Sequence, residues 1–125
     1  MIIIYFEYED EIVAKLFNDL NDVIHSKNLL QKKIGLELTR LIKKRYNQIH
    51  SCNSFYEIQM FGLGKIESLS GNLKGYYSIR LDANYRFIFK PKSSDLTVES
   101  LKNCDTVIIK GVINYHGKGN NWIIP

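Results

Sequence analysis

The chain opens with a short apolar run followed by a helical repeat. Residues 2–8 (IIIYFEY) are β-branched or aromatic at most positions, which predicts a strand buried on both faces. Asp10 follows and is a suitable N-cap, because a carboxylate accepts hydrogen bonds from the free amides at a helix start. Apolar residues then recur every three or four positions, as in an amphipathic helix: Val13, Leu16, Phe17, Leu20 and Ile24.

A second helical repeat begins near Asn28. Asn28 and Gln31 have the spacing of a capping box, and an apolar stripe continues from Leu30 to Ile49. Gly35 inside this stripe disfavours the helix by about 1 kcal/mol relative to alanine. The other positions are strongly basic, which fits either a solvated face or a surface that contacts RNA phosphates or the ribosome.

The second half of the chain changes to strand periodicity. Residues 76–81 (YYSIRL) and 85–89 (YRFIF) are two β-rich runs, and the Asp-Ala-Asn connector between them is typical of a hairpin. Residues 106–113 (TVIIKGVI) are a third strand run, in which Gly111 indicates a bulge or a close backbone approach. Residues 55–69 are compatible with a short helix followed by an extended segment.

The order of these elements predicts the fold. One strand, two helices and about three antiparallel strands, segregated along the chain, indicate the α+β class. We predict an N-terminal strand and a helical hairpin packed on a mainly antiparallel sheet of about four strands, with the other sheet face or an edge free for a ligand. The tail is expected to fold back through Trp122 and Ile123. A chain of 125 residues fits one domain, residues 1–125.

Charge is distributed unevenly. The net charge is +4, yet residues 1–22 carry six acidic residues and one lysine. Residues 23–125 carry sixteen basic and seven acidic residues. This balance indicates an anionic partner, most often nucleic acid, that binds away from the first helix. The alternative explanation is that the charge only keeps the protein soluble.

Other features favour a cytoplasmic protein without cofactors. Cys52 and Cys104 lack metal-binding spacing and fit reduced thiols. The apolar start is too short and lacks the basic leader of a secretion signal, and nothing approaches the roughly 20 apolar residues of a membrane span. The three histidines are scattered, so no metal site is predicted.

Two arginines lie near the same end of the predicted hairpin. Arg80 is near the end of the first strand and Arg86 near the start of the second, so the register decides whether both point to one face. A fixed pair of guanidinium groups matches phosphate geometry and stabilises charge that develops on it. The alternatives are an ion pair of Arg80 with Asp82 or Glu67, and a structural role for Arg86 between the hairpin and the tail.

Residues suited to RNA cleavage flank the hairpin. Lys74 precedes it, and residues 114–118 (NYHGK) follow the last strand run. Cleavage by the neighbouring 2′-hydroxyl needs a base, an acid and cations, so no metal is required. His116 can serve as base or acid, and a tyrosine can stack on a nucleobase or donate a proton. Taken alone, His116 is equally compatible with an ordinary surface histidine.

The hairpin block resembles a known family. Residues 69–89 (LSGNLKGYYSIRLDANYRFIF) are similar to the signature L-x-G-x-x-x-G-x-Y-S-I-R-x-x-x-x-Y-R-[LIV]-x-F of the RelE/ParE toxin superfamily, and within it to the HigB branch, the plasmid-maintenance killer proteins. The NYHGK segment resembles the Asp-Tyr-His that closes HigB-like chains. The order of elements agrees over nearly the whole chain, while specific identity is confined to residues 69–89 and 112–116.

The resemblance implies a RelE-like fold and a toxin of a type II toxin–antitoxin system, neutralised by a cognate antitoxin, with a possible dimer or hetero-oligomer. It implies a metal-independent endoribonuclease that cuts mRNA in the ribosomal A site. The positions that match the catalytic or phosphate-binding residues are Arg80, Arg86, Tyr115 and His116. Contacts with RNA are expected from Lys74, Tyr77 and Lys118.

Departures from the HigB pattern bear on the proposed chemistry. Glu67 and Ser70 stand where HigB-like toxins often carry His and Lys, and Asn114 replaces the usual Asp, which leaves the general acid and base open. Two other functions remain compatible: a ParE-like gyrase poison, and a catalytically degenerate module that binds only an antitoxin or RNA. The chain is also longer than typical members, through the 91–105 loop and the tail after His116.

Overall fold

The computed structural model describes residues 3–22, 24–25, 27–115 and 121–125. The helices are α1 (Glu11–Leu16), α2 (Leu29–Ile34), α3 (Leu36–His50), α4 (Phe55–Met60) and α5 (Val98–Lys102). The strands are β1 (Tyr5–Tyr8), β2 (Glu67–Ser68), β3 (Tyr77–Arg80), β4 (Tyr85–Pro91), β5 (Thr106–Asn114) and β6 (Asn121–Ile124). Single 3-10 turns lie at Leu20–Asp22, Leu63–Lys65 and Gly71–Leu73. In this part of the chain, no helix has the length and apolar composition needed to cross a lipid bilayer.

The predicted helix starts are confirmed and the predicted helix lengths are not. Asp10 caps α1 by accepting a 2.9 Å hydrogen bond from the Val13 amide, and Asn28 caps α2 by accepting one of 3.0 Å from Gln31. However, α1 ends at Leu16, well before the end of its apolar repeat. The second helix is divided at Gly35, whose φ of 86° lies in the left-handed region that interrupts a helix.

The sheet is mixed but mainly antiparallel, which agrees with the predicted α+β class. Its order is β1-β5-β4-β3-β2, and β6 also pairs with β5. Only β1 and β5 run parallel among the described strand pairs. The described residues form six strands rather than about four. The additional ones are β2, in the segment that the sequence left undecided, and β6, which is the tail folding back as expected.

The hydrophobic core lies between the helices and one face of the sheet. Phe87 and Phe89 of β4 point into it and are fully buried, and the Phe17 ring packs 6.0 Å from that of Phe87. The opposite face, which we call the open face, carries charged side chains of β3 and β4 together with the buried Ile88 and Ile113. Tyr5 of β1 is 58% exposed there, so the prediction that the first strand is buried on both faces is wrong.

Gly111 marks a close backbone approach, as its position in a strand run indicated. A Cβ at Gly111 would overlap the carbonyl oxygen of Ile124 and lie 2.7 Å from that of Pro125. The pairing of β4 with β5 also shifts register between Ile88 and Phe89, opposite this glycine. Gly111 therefore lets β6 dock against β5 and allows β5 to bend at the bulge.

Candidate functional site

Arg80 and Arg86 are directly paired across the β3–β4 hairpin. Residues opposite each other in an antiparallel pair project to the same face, with Cβ atoms about 4.5–5.5 Å apart. The adjacent pair, Ile79 and Phe87, is fully buried in the core, so alternation places both arginines on the open face. The register therefore resolves the question that the sequence left open.

The two arginines have no carboxylate partner in the part of the chain that the structure describes. Asp82, one candidate partner from the sequence, instead folds the turn. Its Oδ1 accepts hydrogen bonds from the amides of Asn84 (2.8 Å) and Tyr85 (2.9 Å). Like charges directly opposite each other in a sheet are destabilising. A bound anion would relieve this repulsion, which makes the pair a candidate phosphate site.

Arg86 is held in place by the hairpin turn. Its Nη1 donates to the carbonyl oxygens of Asp82 (3.0 Å), Ala83 (3.3 Å) and Tyr85 (3.2 Å). Its guanidinium carbon lies 5.0 Å from the centre of the Tyr115 ring. Arg86 is therefore held within the hairpin, and its outer contact is with Tyr115, directly after β5, rather than with the tail. The remaining guanidinium donors form no hydrogen bond with other described residues and can face a ligand.

Glu67 of β2 adds a carboxylate to the same face. It is paired with Ser78, and Ser78 lies two residues before Arg80 along β3. Glu67 and Arg80 are therefore diagonal neighbours, at a separation of about 7–8 Å that long side chains can bridge. Glu67 is exposed, and the described ion pairs do not include it. An acceptor for a proton thus stands beside two cations, of which Arg86 is held by the turn.

Strand β6 brings a further aromatic ring to this end of the sheet. Arg86 is paired with Ile113, which is in turn paired with Trp122. Trp122 is 39% exposed and Tyr115 is 56% exposed. Exposed aromatic rings beside cations are suited to stacking with nucleobases.

A second cluster of aromatic and cationic groups lies further along the open face. The Nζ atoms of Lys90 and Lys110 lie 4.9 and 5.2 Å from the centre of the Tyr76 ring, and that of Lys110 lies 5.4 Å from the centre of Trp122. The Tyr76 hydroxyl donates a 2.7 Å hydrogen bond to Glu9. Burial, together with this bond and the charge of Glu9, raises the pKa of Tyr76 to about 12. Tyr76 therefore stays protonated at neutral pH.

Tyr77 belongs to the core, and the prediction that it binds RNA is wrong. It is only 6% exposed, and its ring centre lies 4.9 Å from that of Phe55 in an edge-on contact. Tyr77 is paired with Phe89 on the core side of the sheet. Strand alternation turns the preceding residue, Tyr76, toward the open face instead.

The remaining predicted site residues are Lys74, His116 and Lys118, and the structure describes only Lys74. Lys74 lines a cleft together with Tyr76 and Lys90, away from the arginine pair. His116 and Lys118 lie outside the described residues, so their roles stay predictions. Within residues 3–22, 24–25, 27–115 and 121–125, no group of three or more His, Cys, Asp or Glu side chains is arranged to hold a metal ion.

Several open-face residues were missed by the sequence reasoning: Glu67, Tyr76, Lys90, Lys110 and Trp122. Lys90 is in phase with Arg86 along β4, so strand alternation could have identified it. Glu67 stood out only as a possible ion-pair partner of Arg80 and as a departure from a family motif. Lys110 and Trp122 depend on the bulge in β5 and on the docking of β6. Gly111 and the expected return of the tail indicated these two features, but not which side chains they bring to the open face.

Comparison with known proteins shows similarity to bacterial toxins. The chain is 34% identical to Toxin YoeB of Streptomyces coelicolor over 62 residues, which are 50% of this chain and 71% of the relative. Its structure matches the YoeB–YefM complex from Staphylococcus aureus with a TM-score of 0.51 at 18% identity, over 91% of this chain and 98% of that chain. It matches a YoeB/ParE toxin from Agrobacterium tumefaciens with a TM-score of 0.52 at 16% identity, over 91% and 100%. No protein-family model matches the chain.

The fold and the arginine-bearing open face define a small toxin of RelE-like architecture. The chain belongs to the YoeB toxins of the RelE/ParE superfamily, the toxin components of type II toxin–antitoxin systems. The predicted superfamily is therefore confirmed. The HigB branch is not confirmed, since the sequence match is to a toxin named YoeB.

Proposed function

We propose that this toxin is a metal-independent endoribonuclease that cuts mRNA on the ribosome. The observation that carries the proposal is the direct pairing of Arg80 with Arg86 on the open face, without a described counter-ion and diagonal to Glu67. Paired guanidinium groups bind a phosphate through several hydrogen bonds, and a carboxylate beside them can take up a proton.

The proposed chemistry is an attack of the RNA 2′-hydroxyl on the adjacent phosphorus. The O–P bond to the 2′-oxygen forms as the bond to the 5′-oxygen of the next nucleotide breaks, which leaves a cyclic phosphate and a 5′-hydroxyl. Glu67 accepts the proton of the 2′-hydroxyl, and His116 donates a proton to the leaving 5′-oxygen. Arg80 and Arg86 stabilise the negative charge that builds up on the phosphate oxygens.

Tyr115 keeps Arg86 oriented and offers the outer side of its ring to a nucleobase. The 5.0 Å stacking contact restricts the guanidinium, and the three hydrogen bonds of Nη1 fix the same group from the turn. Lys74 and Lys118 attract the RNA backbone electrostatically. The ribosome would supply the positioned mRNA.

The proposed setting is that of a cytoplasmic toxin with a cognate antitoxin. One relative of the same fold is a YoeB toxin in complex with YefM, which supports a protein partner for this chain as well. We propose that residues 1–125 act as one toxin domain, and that the toxin forms a hetero-oligomer with its antitoxin or a dimer.

The test is induced expression in a bacterial host, with mRNA 5′ ends mapped on translated and untranslated copies of one message. We expect cuts within codons on the translated copy alone. The Arg80→Ala variant should abolish most of these cuts, by about 100-fold or more if it removes a principal charge contact in the transition state. Arg40→Ala, which removes an exposed arginine of α3, is the matched control and should cut like the wild type.

Each other result argues against the proposal in a definite way. Growth arrest without cuts, together with inhibition of purified gyrase, would replace it with a ParE-like activity. Neither arrest nor cuts would leave a module that only binds an antitoxin or RNA. Equal loss of cutting in the Arg40→Ala variant would mean that overall charge, or a contact of α3 with RNA or the ribosome, matters as much as the arginine pair.

A further inference from the structure

A basic cleft opens on the open face at the far end of β4 from Arg86. Its volume is about 390 Å³, and its walls come from the turn before β3, the end of β4 and the loop that leads to α5. The lining residues that matter most are Lys74, Tyr76, Lys90, Lys92 and Leu96. Lys90 and Arg86 are four residues apart on the same face of β4, a separation of about 13 Å along an extended strand.

The loop wall of this cleft is tightly folded. Asp95 Oδ1 accepts hydrogen bonds from the amide (3.0 Å) and the hydroxyl (2.7 Å) of Thr97, and Ser93 Oγ donates to the Asp95 carbonyl (2.8 Å). These side-chain and backbone hydrogen bonds from Thr97, with one from Ser100, lower the pKa of Asp95. The Asp95 carboxylate, which also lines the cleft, is thus ionised at neutral pH, and its hydrogen bonds shape the loop.

The cleft remains cationic after its own ion pairs are counted. Lys92 forms a 2.8 Å ion pair with Glu7, and both side chains are about half exposed. Lys74 and Lys90 form no ion pair with the described part of the chain. Lys90 is held over the Tyr76 ring instead, at 4.9 Å. At least two ammonium groups are therefore available to an anion.

Apolar surface accompanies these charges. Leu96 is 48% exposed at the rim of the cleft, and the partly exposed Tyr76 ring lies beside Lys90. A nucleotide has the complementary chemistry, since it joins a phosphate to a flat base with two apolar faces. A free inorganic anion would leave Leu96 uncovered, and an acidic peptide would not use the flat apolar surface.

We propose that this cleft binds a nucleotide of the same RNA strand that is cut at the Arg80–Arg86 site, a few nucleotides from the cut bond. Lys74 and Lys90 contact its phosphate, and its base packs on Leu96. This inference rests on the proposed endoribonuclease function. It assigns a role to the loop after β4: the loop extends the RNA-binding surface beyond the arginine pair and makes flanking sequence matter.

The test is binding of non-cleavable 2′-O-methyl RNA to the full chain, measured by fluorescence anisotropy at several salt concentrations. A dinucleotide reaches only the arginine site, whereas an octanucleotide can reach the cleft. We expect the wild type to bind the octanucleotide more tightly, and the double variant Lys74→Gln/Lys90→Gln to bind both RNAs equally. For the octanucleotide, the slope of log K against log salt should fall by about 0.7, since the two lysines contact one phosphate and each phosphate contact on a single strand contributes roughly 0.7.

Lys15→Gln is the matched control, because Lys15 is exposed on α1, a helix that packs on the core side of the sheet. It should leave both the affinity and the salt slope unchanged. Circular dichroism and thermal unfolding of each variant should match the wild type, since Lys74 and Lys90 are on the surface.

Four outcomes would overturn the inference. Equal octanucleotide binding by the wild type and the double variant excludes the cleft from RNA binding. If the double variant binds ribosomes more weakly while its octanucleotide binding is unchanged, the lysines contact ribosomal RNA. If only its binding to the antitoxin is weaker, the lysines contact a protein partner. A wild type that binds no RNA removes both this inference and the proposed function. If instead the wild type binds the octanucleotide more tightly than the dinucleotide but translated messages stay intact, the cleft is supported and the proposed nuclease activity fails.

Discussion

The guanidinium of Arg86 stacks on the ring of Tyr115, with 5.0 Å between the guanidinium carbon and the ring centre. This contact joins the start of β4 to the residue after β5. The Tyr115 amide also donates to the Asn84 carbonyl, at 2.6 Å, which ties the same residue to the hairpin turn. The end of the open face that carries Arg86 is therefore held by two contacts of Tyr115. In the proposed function, Tyr115 acts on RNA both directly and through Arg86.

The first prediction concerns this stacking. Tyr115→Phe keeps the ring, so it should retain most RNA cutting in the translated-message assay. Tyr115→Ala removes the stack, which is worth about 0.5–1 kcal/mol at an exposed site, and should cut at least several-fold less. If the Phe variant is as defective as the Ala variant, the hydroxyl has a chemical role, such as proton donation, that the stacking model lacks.

The second prediction concerns Glu67 as the proton acceptor. Glu67→Gln has nearly the same shape but cannot take up a proton, so the cutting rate should fall by about 10²–10⁴-fold. Octanucleotide binding by the same variant should be unchanged or tighter, because a negative charge near the phosphate has been removed. Ser68→Ala, at the next position of β2, is a suitable control and should cut normally. Normal cutting by Glu67→Gln would transfer the role of base to another group.

The third prediction concerns the ionisation of Tyr76. Burial and the Glu9 carboxylate raise the pKa of Tyr76 to about 12, so the folded state holds this proton more tightly than the unfolded state, whose pKa is about 10. The stabilisation is therefore complete below pH 10 and is lost as pH rises through about 12. NMR titration of ¹³Cζ-labelled tyrosine should show this late midpoint, and Glu9→Gln should lower it. A Tyr76 midpoint near 10 in the wild type would contradict the 2.7 Å hydrogen bond to Glu9.

The fourth prediction concerns Gly111. A Cβ at this position would overlap the Ile124 carbonyl, so Gly111→Ala should destabilise the fold by about 1–3 kcal/mol, measured by urea unfolding. The effect should be smaller in a chain shortened by residues 121–125, because the clash with β6 is removed and only the strain of a side chain at a φ of 158° remains. Full destabilisation in the shortened chain would show that the backbone conformation of Gly111, and not the approach of β6, is responsible.

Much of the fold follows from local patterns. Asp10 and Asn28 cap helices because their side chains accept hydrogen bonds from amides within three residues, and this is visible in sequence. The β3–β4 hairpin follows from two alternating runs and from Asp82, whose side chain folds the turn between them. The end of α1 at Leu16 was not predictable in this way, because apolar spacing continues beyond the helix.

The sequence alone determined the class of fold, the hairpin and the presence of two arginines at one of its ends, since each depends on neighbours along the chain. Tertiary structure decided which residues form the site. The register of β3 on β4 paired Arg80 with Arg86, and the pairing of β2 with β3 placed Glu67 diagonal to them. Strand alternation sent Tyr77 into the core and Tyr76 to the open face. A one-residue shift in strand register would turn each of these side chains to the opposite face of the sheet. Only the packing of the whole sheet against the helices selects one register over the other.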